Sequence, residues 1–225
     1  PAKLRILLKC VSLSLLGFLV LPFIVLLGYF CRVGERTATI GYSDGALPSL
    51  DLSDWRALAK EGTVVLLLLL VFQVPVGFVY PLLPSAVYYL VMLLAGYVAV
   101  GFYATYLGRG GVREAFESGE YSELLTTAYY LKTFGLYVLI FGIIYYVIMF
   151  EGTFAFVFLM DSVFSFERAA QMLAVPERWV WYSVSVVWYL IYFPYVALVS
   201  FGHWGTVYHH AENRGIVGTQ SKDTS

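Results

Sequence analysis

The sequence predicts an all-α, polytopic helical membrane protein with five or six membrane-embedded segments and two amphipathic surface helices. Three observations predict it. Hydrophobic residues make up 60% of the 225 residues and charged residues 13%, against about 45–50% and about 25% in a soluble domain. A chain of that composition cannot cover a globule with polar groups, so its solvent is largely lipid. Several apolar stretches reach the ~20 residues that a helix needs to cross a bilayer. Aromatic residues reach 18%, with 19 Tyr and 17 Phe, which suits broad interfacial belts. The net charge of −1 supplies no field that would draw nucleic acid.

The first apolar stretch, residues 4–30, holds Arg5 and Lys9 near its start and Pro22 further in. It lacks a small-residue cleavage site and reads as retained rather than as a signal peptide. Cys10 and Cys31 flank its apolar part. In one straight helix they would stand ~30 Å apart, beyond disulfide reach. Residues 63–83 form the next stretch, with Pro75 inside. Residues 81–84, Pro-Leu-Leu-Pro, form a tight hairpin into the third stretch, 86–107. The fourth is 134–150, with a helix that can begin as early as Tyr121, and the fifth is 179–207. A sixth segment, 153–166, lies between Glu151 and Glu167 and carries Asp161. It is short for a span, and a re-entrant or interfacial helix fits it as well.

Two polar connections carry helical patterning. SLDLSDWRALAKEG puts Leu52, Trp55 and Ala59 on one face, with Ser53 placed to cap. GVREAFESGEYSELLTTAYYLKTF does the same with Val112, Ala115 and Phe116. Both read as helices lying on the membrane surface. The chain divides into a single integral membrane domain, 1–210, and a short polar tail, 211–225.

Orientation follows from Lys and Arg near segment ends. Connection 31–62 carries Arg32, Arg36, Arg56 and Lys60, and connection 108–133 carries Arg109, Arg113 and Lys132. Both are expected to be cytoplasmic in a multi-pass cell-membrane protein, with 81–84 external. A single first span would then put Lys3, Arg5 and Lys9 outside. Either the N-terminus breaks the rule, or 4–30 is a re-entrant helical hairpin bending near 17–22, with Cys10 and Cys31 on one side. For the last helix, Arg168 and Arg178 oppose Arg214 and Lys222, and charge does not decide its direction.

Ionisable or polar groups inside a membrane are the first functional candidates. Here they are Gln73, two residues before Pro75, and Asp161, Glu151 and Arg168 around the sixth segment. Pro75 frees the Val71 carbonyl, which Gln73 is placed to help satisfy. Asp161, if it dips into lipid, needs a partner, and Arg168 is one candidate. The three histidines His203, His209 and His210 lie in FGHWGTVYHH beside Trp204 and Tyr208. Axial haem ligands come from opposed helices, and zinc wants three or four supported ligands. One helix end supplies neither, so these five residues read as an interfacial anchor, with no metal or cofactor expected. Phosphate-binding, nucleotide-binding and serine-hydrolase motifs are absent, which argues against an enzyme. Ala95 with Ala99, and Gly135 with Gly142, offer faces for helix packing.

GYFCRVGERTATIG, followed by Leu47-Pro48 and DWRALAKEG, resembles a mainly archaeal family of uncharacterised multi-pass proteins, domain of unknown function 4013. Glu114–Phe116 and Gly205-x-x-Tyr208 fit the same pattern, and the region around 153–178 fits least. The resemblance implies an archaeal polytopic membrane protein with no established activity. The function expected is a non-enzymatic accessory or scaffold subunit, with membrane lipids and other membrane chains or a homo-oligomer as partners. A small transporter or channel for an apolar or small neutral solute is the alternative, using Gln73, the Pro75 kink and Asp161.

Overall fold

The computed structural model describes residues 2–15, 20–41, 47–147 and 151–218. Among these the chain is helical throughout, with no strand. That follows from the solvent: in hydrocarbon every backbone N–H and C=O must be satisfied within its own segment. The ten helices are α1 (Ala2–Leu15), α2 (Leu21–Ile40), α3 (Trp55–Val79), α4 (Ser85–Arg109), α5 (Val112–Glu117), α6 (Glu120–Leu125), α7 (Ala128–Tyr146), α8 (Gly152–Phe164), α9 (Phe166–Leu173) and α10 (Glu177–Asn213). Three stretches are long and apolar enough to cross a membrane: Leu52–Val79, Ser85–Arg109 and Glu177–Asn213.

Residues 4–30 are not one helix. α1 stops at Leu15, and α2 starts at Leu21 with Pro22 in its first turn, where a missing N–H costs nothing. α1 packs back on α2 and α10. Lys9 Nζ donates to Leu50 O at 3.3 Å, in the segment whose Pro48 O accepts from Tyr29 of α2. The straight-span reading therefore gives way to a helical hairpin. Its bend falls partly outside the described residues, as does Lys222. Cys10 and Cys31 are both buried and unbridged.

The first surface helix is likewise not separate. A single turn at Leu52–Asp54 leads directly into α3, which runs on through Pro75. Asp51, not Ser53, supplies the cap: its side chain accepts from Ser53 N at 2.9 Å. Nothing in Ala57–Gly62 breaks a helix, so the amphipathic patch and the span merge. The second surface segment does stand apart, split into α5 and α6 by Gly119 at φ 67°. Gly110, left-handed at φ 72°, ends α4 by donating to Tyr106 O at 2.9 Å.

α2 is the central helix. It crosses α3 antiparallel, with Gly28 against Leu58 and Gly62. It runs parallel to α10, with Phe23 against Phe193, Phe30 against Phe201 and Gly34 against Gly205. α4 runs parallel to α10 too: the Tyr103 and Trp204 rings stack at 5.0 Å, and Gly108 abuts the Tyr208 ring. α7 descends antiparallel to α10. Arg214 lies over the Tyr129 ring, and Tyr137 meets Ser200 and stacks on His203. α8 continues in the same direction, with Phe156 on Trp188 and Phe158 on Trp181. α10 has 37 residues, about 55 Å, and α7 and α8 together accompany most of it. α8 therefore runs along α10 in the same direction as α7.

The packing is uneven along the bundle. At one end, α2, the start of α3 and the later halves of α4 and α10 enclose the buried core, including Leu26, Tyr29, Phe30, Leu58, Phe102 and Tyr208. At the other end α3, α4 and α10 expose Val71, Phe78, Tyr89, Leu94 and Val186.

Candidate functional site

The densely packed end carries the bundle's polar networks, and residues from every large connection meet there. Arg32, on α2, makes a bidentate pair with Glu61 of α3 (Nε–Oε2 2.8 Å, Nη2–Oε1 2.9 Å) and reaches Asp54 Oδ2 at 2.8 Å. The planar guanidinium suits this fork, and one cation ties the middle of α2 to the start of α3. In the residue before Arg32, Cys31 Sγ lies 3.6 Å from Glu35 Oε1 and 3.7 Å from the Tyr106 hydroxyl.

Glu120 is the second node and is 1% exposed. Its carboxylate accepts two hydrogen bonds from Arg109, from Nε at 2.8 Å and from Nη2. It also accepts from the Tyr208 hydroxyl at 3.1 Å and from Gly218 N at 2.6 Å. Burial pushes this carboxyl's pKa up, but the Arg109 guanidinium, the Gly218 N–H and the Tyr208 hydroxyl outweigh it and hold it below the ordinary glutamate value. The node joins α4, α6, α10 and the segment after α10. It therefore brings Gly218, and with it the C-terminal side of α10, to the same end as connections 31–62 and 108–133. This contact fixes the direction of α10 relative to α4 and α6 within the bundle.

Between the two networks lies a cavity of about 680 Å³. Glu35 and Thr39 of α2, Lys60, Glu61 and Val64 of α3, and the turn from Tyr106 to Val112 line it. Glu61 is neutralised by Arg32 and Arg109 by Glu120, while Glu35 forms no ion pair among the described residues.

The residues singled out in the sequence fall elsewhere. Gln73 is exposed on α3, and Glu151 and Arg168 are exposed as well. Asp161 does not pair with Arg168. Its Oδ1 accepts from Phe166 N at 2.7 Å and so caps α9. The five residues read as an interfacial anchor are mostly inside. Trp204 and Tyr208 are buried, His203 stacks on Tyr137 at 4.9 Å, and His210 alone is exposed. His209 Nδ1 lies 3.1 Å from Ala38 O. A carbonyl only accepts, so Nδ1 carries the proton and Nε2 is free to accept from Asn213 Nδ2 at 3.0 Å. Among the described residues no three His, Cys, Asp or Glu side chains converge as metal ligands.

Sequence reasoning counted Arg32, Arg109 and Lys60 only as topological charges, and it missed Glu35, Glu61 and Glu120 altogether. The available signal was position for two of them: Glu35 and Glu61 sit near a span's polar end, next to Arg36 and Lys60. No known protein family, curated protein or solved structure matches the chain.

Proposed function

We propose that the chain is a non-enzymatic integral membrane component with five or six embedded segments, an accessory or scaffold subunit whose loosely packed half meets lipid and other membrane chains. One observation carries this reading. Gly77 on α3 and Gly135 and Gly142 on α7 face open space, with nothing within 4 Å of where a Cβ would stand. Around them Phe78, Leu136, Leu139 and Ile143 are exposed. In lipid the apolar effect does not hold helices together; close backbone approach over small residues does. Among the described residues these glycines are unused, whereas Gly28, Gly62 and Gly205 are packed against backbone.

The densely packed end is the cytoplasmic one in this reading. Lys9, Arg32, Arg36, Arg56, Lys60, Arg109, Arg113 and Arg214 gather at it, against Arg168 and Arg178 at the other. The resemblance to domain of unknown function 4013 supports the same multi-pass arrangement and an archaeal source.

The test is native mass spectrometry of the chain extracted from its own membrane with the surrounding lipid retained. The expected result is a complex with a second membrane chain or with further copies. Recovery as a lone monomer overturns the subunit reading. The cavity favours a second reading, a small transporter or channel, but Gln73 and Asp161 do not line it. A route would begin at Glu35 and Glu61 instead.

A further inference from the structure

We propose that the cavity between α2, α3 and the turn after α4 is a binding site for an organic primary ammonium, received by the Glu35 carboxylate. The charge pattern selects the class. Glu61 and Arg109, the other strongly held charges of the lining, are each saturated by a bidentate partner. Glu35 is half-buried and has the Cys31 thiol, a weak donor at 3.6 Å, as its neighbour. Of the four charged residues in the lining, Glu35, Glu61, Lys60 and Arg109, the pairs of Glu61 with Arg32 and of Arg109 with Glu120 leave Glu35 as the carboxylate open to a cation.

The geometry selects an ammonium over a metal. Calcium takes six to eight oxygen ligands, and no three acidic or imidazole side chains converge among the described residues. An ammonium has three donors. Glu35, the Thr39 hydroxyl and the Tyr106 hydroxyl, all in the lining, supply acceptors of that number. Thr39 donates its own proton to Glu35 O at 2.9 Å, which leaves its oxygen free to accept. The volume of about 680 Å³ lies in the range of small-molecule pockets and far exceeds one ammonium. Val64 and Leu107 line it as well, so the ligand carries an alkyl body. Such a group comes either from a free alkylamine or from an aminophospholipid headgroup, whose phosphate would meet Lys60 at the rim. The site does not depend on whether the glycine faces meet another chain.

The experiment uses the full chain in phosphatidylcholine nanodiscs. n-Hexylammonium is titrated calorimetrically, and retention of phosphatidylethanolamine is read by native mass spectrometry. Binding of one of the two is expected. Glu35→Gln weakens it about tenfold or more, the scale of a lost charged hydrogen bond. Val64→Trp, which fills the apolar wall, abolishes it, while the thermal melt shows that the fold persists. Lys60→Ala leaves hexylammonium binding unchanged and lowers phosphatidylethanolamine retention, which separates the two sources. If Glu35→Gln does not fold, Val64→Trp decides. The proposal fails if wild type binds neither probe, or if either folded variant binds as wild type does.

Discussion

Gly28 and Gly62 lie back to back where α2 crosses α3. A Cβ on Gly28 would collide with the Leu58 carbonyl, and one on Gly62 with the Ile24 carbonyl. The obstacle in both cases is backbone, which cannot swing aside as a side chain can. This approach lets Arg32 reach Glu61 and Asp54, so the glycine pair and the ion network are one construction.

Gly28→Ala and Gly62→Ala each therefore destabilise the bundle, by about 1–3 kcal/mol for an overpacked contact. Gly77→Ala is the control. Nothing lies near it, and alanine favours a helix by ~1 kcal/mol over glycine. Thermal unfolding in detergent, followed by circular dichroism, should show two lowered midpoints and one unchanged or raised. Three equal midpoints would refute the close crossing.

The Glu120 node makes stability depend on pH in a definite direction. Its folded pKa lies below the ordinary glutamate value, about 4.3. The stabilisation is thus fully present above that value and is lost as pH falls through the folded pKa. Between about pH 5 and pH 3 the wild-type midpoint should drop, and the Glu120→Gln curve should be flatter. At neutral pH Glu120→Gln leaves Arg109 without its carboxylate. Breaking a buried pair costs about 3–5 kcal/mol, and the lower figure applies because the Arg109 side chain is 25% exposed. Parallel curves for the two proteins would show that another acid carries the transition.

Much of this molecule was legible in the sequence, and the limits have physical causes. The spans of α3 and α4 and the hairpin between them followed from apolar length and Pro81-Leu-Leu-Pro84. The merger of DWRALAKEG into α3 did not, because an amphipathic helix on a surface and the polar end of a spanning helix share one pattern. The break within 4–30 was visible as Gly17 and Pro22, yet a proline in a first turn and a proline in a kink look alike before the partner helices are known. Glu120 was illegible for a different reason. Its acceptors are filled by Arg109, Tyr208 and Gly218, which are distant in sequence or contribute only backbone. The burial of Trp204 and Tyr208 in the histidine segment was not legible, because Trp, Tyr and His mark both lipid boundaries and aromatic cores.

The shared end of the bundle predicts a labelling pattern. Lys60, Glu117 and Glu212 are exposed at that end, and Met172 is exposed on α9 at the other. In membranes of known orientation, an impermeant maleimide should label Lys60→Cys, Glu117→Cys and Glu212→Cys from one face. Met172→Cys should be labelled from the opposite face. Labelling of Glu212→Cys with Met172→Cys would reverse α10 and contradict the Gly218–Glu120 contact.

Asp161 is a cap in this structure, so its charge is dispensable and its hydrogen bond is not. Asn caps about as well as Asp, whereas Ala costs ~1 kcal/mol. Asp161→Asn should keep the wild-type thermal midpoint and Asp161→Ala should lower it slightly. A large loss in Asp161→Asn would mean that the carboxylate has an ionic role the cap does not require.

The unused glycines separate stability from assembly. Gly135 and Gly142 are seven residues apart on α7, two helical turns, and so lie on one face with open space before them. Among the described residues nothing lies within 4 Å of a Cβ at either position, so Gly135→Leu and Gly142→Leu should leave the midpoint of the isolated protein within about 0.5 kcal/mol of wild type. In the membrane the same side chains would hold an approaching backbone away, because small residues are what permit that approach. The doubly substituted protein should then run as a monomer where wild type runs as a complex, in crosslinking or native mass spectrometry from lipid particles. Gly77→Leu on α3 tests whether one face or two are involved. Intact assembly in the double variant would place the partner surface elsewhere and remove the main support for the subunit reading, while a lowered midpoint would mean that α7 packs more closely within the chain than the open space before Gly135 implies.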